Sequence, residues 1–154
     1  MFDLAQSRAR MAGLAWVLNR EIPIEQARQT NTPYDLVGGM HVIQQIVDRF
    51  YDLLEQNPDY AALRALHAPD LAPMRRSLSG FLAAWLGGPR DWFSENSGRC
   101  MMAAHRDVAM SAETGRQWAE AMACAITDAT VEPQLGAKMA DALGDLARSM
   151  AGRA

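Results

Sequence analysis

Apolar residues return every three to four positions along nearly the whole chain. Ile43, Ile46, Val47, Phe50 and Leu54 form one such stripe, and Leu71, Leu78, Leu82 and Trp85 form another. This spacing gathers side chains on one face of an α-helix. No segment shows the strict alternation of a half-buried strand. Breaks fall at "VGG" (Val37 to Gly39), "NPD" (Asn57 to Asp59), "HAPD" (His67 to Asp70), "LGGP" (Leu86 to Pro89) and "VEP" (Val131 to Pro133), each placing Gly or Pro where a helix has to stop. The pattern predicts helices near 3–19, 40–56, 59–67, 70–86, 98–105, 111–128 and 133–151. Asp70 and Ser111 supply a side-chain acceptor just ahead of a helical run, as N-caps do. The fold class is all-α.

Length adds a bound to that picture. A chain of 154 residues with 49% hydrophobic content fits one compact domain large enough to enclose a ligand. Residues 1–33 read as an N-terminal amphipathic extension, a helix followed by the polar "QARQTNTP", and residues 34–154 as the main domain. The extension offers a surface for the core or for a second copy in a homodimer. Net charge is −3 with arginines scattered along the chain, so there is no footprint for nucleic acid. The apolar run "LAWVL" is too short to span a bilayer and is followed by no cleavage pattern. Two cysteines, Cys100 and Cys124, form no C-x-x-C and suit a reducing compartment. The expectation is a cytoplasmic protein without a membrane partner.

Few residues suggest chemistry by themselves. No G-x-S-x-G, phosphate-binding or dinucleotide glycine pattern occurs, and the three histidines, His41, His67 and His105, lie far apart without a common zinc spacing. Asp48, Asp52 and Glu55 fall on the polar face of their helix, where solvation is expected. His105 follows the apolar "RCMMAA". Taken alone, it reads either as a packing histidine satisfied by a backbone carbonyl or as a residue that holds something.

Four fragments bear on that choice: "VGGMHVIQQIVDRFYDLL" (Val37 to Leu54), "ALHAPDLAPMRRSLSGFLAAWLGGPRDWF" (Ala65 to Phe93), "RCMMAAHRDVAM" (Arg99 to Met110) and "SAETGRQWAEAM" (Ser111 to Met122). The pairing Phe50–Tyr51, the run Trp85–Pro89, a histidine sixteen residues after that proline and a tryptophan thirteen after the histidine make a specific combination. In order and spacing, from about Tyr34 to Asp128, the chain resembles a group II truncated haemoglobin. The resemblance implies a truncated globin, a two-over-two helical sandwich around one b-type haem (iron protoporphyrin IX), with His105 as the proximal iron ligand. Neutral imidazole suits haem iron, and Met101, Met102, Val108 and Met110 can supply apolar, polarizable walls. By the same resemblance Tyr51, Trp118 and His67 occupy the distal ligand-binding positions, and Met74, Leu78, Phe81 and Leu82 line the pocket, with Trp92 also on the cofactor. A phenol and an indole can both donate to a bound gas. His67 is open to three roles: donor to the ligand, sixth iron ligand, or helix cap.

The chain also departs from the family pattern. Ser77 and Ala104 stand where arginines commonly meet the haem propionates, leaving Arg75, Arg76, Arg99 or Arg106 as substitutes. Trp92 replaces a frequent tyrosine, with its indole N–H as the replacement donor, and Val108 replaces a bulky aromatic. The implied function is reversible binding of oxygen or another diatomic gas, as in oxygen transport. The alternative is a haem enzyme, a nitric oxide dioxygenase or peroxidase-like catalyst, which needs a separate reductase because the chain holds no flavin or nicotinamide domain.

Overall fold

In a computed structural model of the chain, residues 31–97, 105 and 107–151 are described. The expected helices over 3–19 and 98–105, and with them Met101, lie outside the described residues, apart from His105 itself. Seven α-helices occur among the described residues: α1 (Pro33–Val37), α2 (Gly39–Gln56), α3 (Ala61–Arg64), α4 (Ala72–Trp85), α5 (Asp91–Glu95), α6 (Ala112–Asp128) and α7 (Pro133–Ala151). A 3₁₀ turn, Pro58–Tyr60, precedes α3. No strand is present among these residues, and none of their helices is long and apolar enough to cross a membrane.

The stripe on α2 is the centre of the molecule. Ile43, Ile46, Val47 and Phe50 have no exposed surface at all. They pack α2 against both α4 and α6, while α6 lies along α7. Two pairs of helices, α2 with α4 and α6 with α7, thus form the two-over-two sandwich. Leu82 from α4, Met122 from α6 and Leu143 from α7 close the same core, each at most 1% exposed. The second predicted stripe holds except at its end: Trp85 is 38% exposed, because α4 stops there and the last turn has left the seam.

Local chemistry explains most boundaries. Ser111 caps α6 with a complete capping box, its hydroxyl accepting from Thr114 N–H while Thr114 Oγ1 accepts from Ser111 N–H, so two of the orphan donors at that end are satisfied. Asp70, expected as the cap, acts one residue ahead of the observed one: its Oδ1 accepts from Ala72 N–H at 2.9 Å, and the cap position itself is Leu71. The predicted helix over 59–67 is a 3₁₀ turn and a four-residue helix. The short helices α1 and α5 escape prediction because five residues are too few to display a period. A Thr32/Asp35 capping box with Pro33 at the first position starts α1.

The turn after α4 is locked to α1. Tyr34 N–H donates to Leu86 O at 2.9 Å, and Met40 N–H donates to Tyr34 Oη at 3.0 Å. The Tyr34 ring is thereby pinned over Gly88, where an added Cβ would lie 2.5 Å from ring atom Cδ2. Gly88→Ala is therefore expected to destabilise the chain by about 1–3 kcal/mol through overpacking. Urea unfolding with an unchanged m-value checks it, and an unaltered midpoint would mean that the ring can yield.

Candidate functional site

A cavity of about 410 Å³ opens between the two helix pairs, lined by residues from α2, α3, α4, α5, α6 and α7 and by the segment around His105. Its volume is within the usual range for a small-molecule or cofactor site. Of the residues predicted for the site, Tyr51, His67, Met74, Leu78, Phe81, Trp92, His105, Val108, Met110 and Trp118 all line it. Leu82 does not; it is completely buried in the core. A larger, shallower hollow of about 580 Å³ lies over Asn57, Arg64 and Pro69. Arg64 spends its guanidinium there on the carbonyls of His67, Ala68 and Pro69, so that hollow presents little free chemistry. His67 borders both spaces.

One side of the cavity is an aromatic series. The Trp118 and Phe50 rings are 5.4 Å apart, Phe50 and Tyr51 4.9 Å, and Tyr51 and His67 5.7 Å, the last two nearly edge-on. Tyr51 is buried, and burial pushes its phenol up to about 12, with the Arg75 charge pulling the other way. The hydroxyl therefore keeps its proton throughout the physiological range. Neither the Tyr51 O–H nor the Trp118 indole N–H is used by another group among the described residues. Trp92 differs: its Nε1–H donates to Ser77 Oγ at 3.0 Å. The indole expected to replace a family tyrosine is thus spent on the serine that stands at a family arginine position. Ser77, accepting there, still has its own hydroxyl proton to give.

Arg75 is also spent. Its guanidinium donates to Asp48 O and Oδ1, to Asp52 Oδ1 at 2.8 Å and to Glu55 Oε2 at 3.4 Å, and lies 5.5 Å from the Tyr51 ring centroid. The carboxylates expected to be merely solvated are therefore the other half of a clamp between α4 and α2. Arg75 itself does not line the cavity.

His67 is half-buried, and its Nδ1 lies 3.0 Å from Leu63 O. A carbonyl only accepts, so Nδ1 carries the proton, and in the neutral ring Nε2 has a bare lone pair. Burial lowers the His67 pKa, with Arg64 and His105 adding to the fall and the Leu63 hydrogen bond opposing it. His105 is half-buried on a turn whose carbonyl accepts from Val108 N–H at 3.1 Å.

Sequence reasoning missed part of the lining: Leu63, Leu66 and Ala68 after α2, Asn96 after α5, and Leu143, Leu146, Ala147 and Met150 from α7. The α7 set carries a visible signal, since it recurs at helical spacing. Asn96, held by a bond from its Nδ2 to Trp92 O at 2.8 Å, carries none.

Residues 32–152 match the family model described as bacterial-like globin. The group 2 truncated hemoglobin YjbI of Bacillus subtilis (strain 168) is 27% identical over 105 residues, covering 68% of this chain and 76% of that protein. The cold-adapted truncated hemoglobin from the Antarctic marine bacterium Pseudoalteromonas haloplanktis TAC125 superposes with a TM-score of 0.76 at 25% identity, over 80% of this chain and 100% of that one. The group II truncated hemoglobin from Bacillus anthracis gives 0.71 at 26% identity, over 78% and 95%.

The lowered His67 pKa has a definite sign. Below the unfolded value, about 6.5, the unfolded chain takes up a proton that the folded chain resists, so stability falls as pH drops through that region. Urea unfolding of the ligand-free chain at neutral and mildly acid pH is expected to show a larger acid loss in the parent than in His67→Phe. Equal losses would mean that the ring is not held neutral.

Proposed function

The chain belongs to the bacterial-like globin family, and on that premise we propose that it is a haem protein that reversibly binds oxygen or another diatomic gas. The observation that carries this reading is the convergence of His105, Tyr51, Trp118 and His67 on one cavity, with the Tyr51 and Trp118 donors left unspent among the described residues. The lining suits a b-type haem. Met74, Leu78, Phe81, Val108 and Met110 would supply apolar contact for a flat macrocycle, Ser77 and Asn96 neutral polar contacts for its carboxylates, and His105 would hold the iron. When bound, haem would supply an iron able to take a diatomic gas.

The chain's own residues then decide how long the gas stays. Tyr51 donates through a phenol too weakly acidic to ionise, and Trp118 donates through an indole with no competing acceptor among the described residues. The Arg75 clamp holds the Tyr51 ring against α2 while leaving its hydroxyl to the cavity. His67, neutral and protonated on Nδ1, offers an acceptor instead of a third donor.

Replacing His105 with Gly is expected to abolish the native axial bond, and added imidazole should restore a native-like spectrum. An unchanged iron–histidine stretch in the resonance Raman spectrum without imidazole would remove His105 from this role. Hydrogen bonds to a group bearing charge are worth about 1.5–3 kcal/mol. Tyr51→Phe or Trp118→Phe should thus speed oxygen dissociation about ten- to a hundredfold, with carbon monoxide responding much less. Stopped-flow release rates within about twofold of the parent in both variants, far below that estimate, would make these aromatics packing residues.

A further inference from the structure

Gln117 is a polar side chain in an apolar core. It is 3% exposed and sits on α6 immediately before Trp118. Its Oε1 accepts from Leu63 N–H at 2.9 Å, and its Nε2 donates to Glu113 Oε1 at 3.3 Å. The Glu113 contact fixes which way the amide points, because a carboxylate takes only the NH₂ end. Leu63 is the third residue of α3, so its N–H has no partner within the helix. At 2% exposure it has no water either. The carbonyl of the same residue accepts from Leu66 N–H at 3.1 Å and from His67 Nδ1–H at 3.0 Å. One residue is therefore held by Gln117 through its N–H and holds His67 through its carbonyl.

We propose that Gln117 is a positioning residue for His67: by anchoring Leu63 it fixes the carbonyl that takes the Nδ1 proton, and so commits the neutral ring to the tautomer with a bare Nε2. This deepens the assignment of the cavity above and rests on its placing His67 at the ligand. The consequence is the number of donors a ligand meets. With Leu63 fixed, the site has two donors, Tyr51 and Trp118, and one acceptor. With Leu63 released, the ring is free to carry its proton on Nε2 and becomes a third donor. A residue without contact to the ligand thus sets the polarity of the wall that meets it.

The test uses the full-length, haem-loaded, carbonmonoxy ferrous protein with ¹⁵N-labelled histidine, in which two-bond proton–nitrogen correlations read the tautomer of His67 directly. The parent is expected to be protonated on Nδ1. Gln117→Met, of similar length but without the acceptor, should show a mixture of tautomers and about tenfold faster exchange of the Leu63 amide, the equivalent of one net hydrogen bond. Gln117→Glu combined with Glu113→Gln keeps an acceptor for Leu63 and a donor–acceptor pair at position 113, and should restore both. A parent ring protonated on Nε2 overturns the proposal, and so does Gln117→Met with faster Leu63 exchange but an unaltered tautomer. If Gln117→Met fails to fold, Gln117→Asn decides, since its shorter amide withdraws the acceptor from Leu63 while keeping a polar group: loss of the single tautomer supports the proposal, and faster Leu63 exchange with an unaltered tautomer overturns it. His67→Phe separates this from the reading it rests on, since unchanged oxygen release there removes His67 from the ligand while the tautomer result stands.

Discussion

Burial of one face of α2 against two helices at once is the contact on which the rest of the molecule hangs. Ile43, Ile46, Val47 and Phe50 leave no surface to solvent. Complete burial of side chains of this size contributes about 1.5–3 kcal/mol each relative to exposure. The same face that fastens α4 also fastens α6, so neither pair can slide without opening the core. Phe50 shows the coupling most directly. Its ring touches both Tyr51 and Trp118, so the phenol and the indole on facing helices are held in relation to each other by a residue that does not itself line the cavity.

The polar contacts around this core have a different task. Exposed ion pairs contribute little stability as a rule, and Asp48, Asp52 and Glu55 are largely open to water. Arg75 is the less exposed partner, and it bonds a backbone carbonyl of α2 as well as side chains. Its value is directional. It sets the rotation of α4 on α2, and hence which residues of α4 look into the cavity and which, like Leu82, look into the core.

Which polar groups are spent decides what the cavity can do. Among the described residues two tryptophans border it, and they differ: the Trp92 N–H is tied to Ser77, while the Trp118 N–H is tied to none of these residues. Two histidines border it, and one of them, His67, has its tautomer dictated by a backbone carbonyl. The cavity consequently presents a phenol, an indole and an imidazole lone pair, with His105, Ser77 and Asn96 also in its lining, within otherwise apolar walls. Among the described residues no Lys or Arg lines it, and Arg64 and Arg75 are both engaged on other contacts.

The sequence by itself determined the long helices among the described residues, the Ser111 cap and the buried stripe on α2, because periodicity and capping are local properties that need no partner to be read; His105, Tyr51 and Trp118 were singled out by the family resemblance, and all three line one cavity. The tertiary structure alone decided that Trp92 and Trp118 differ, that Arg75 belongs to carboxylates at least twenty residues away, that α7 closes the cavity, and that a buried Gln117 is needed at all. Helical periodicity names the face a residue occupies but not the group it will meet there. Hydrogen bonds between elements are set by packing distances that emerge only once the helices are in contact, so two indoles that look alike in the chain end with opposite roles.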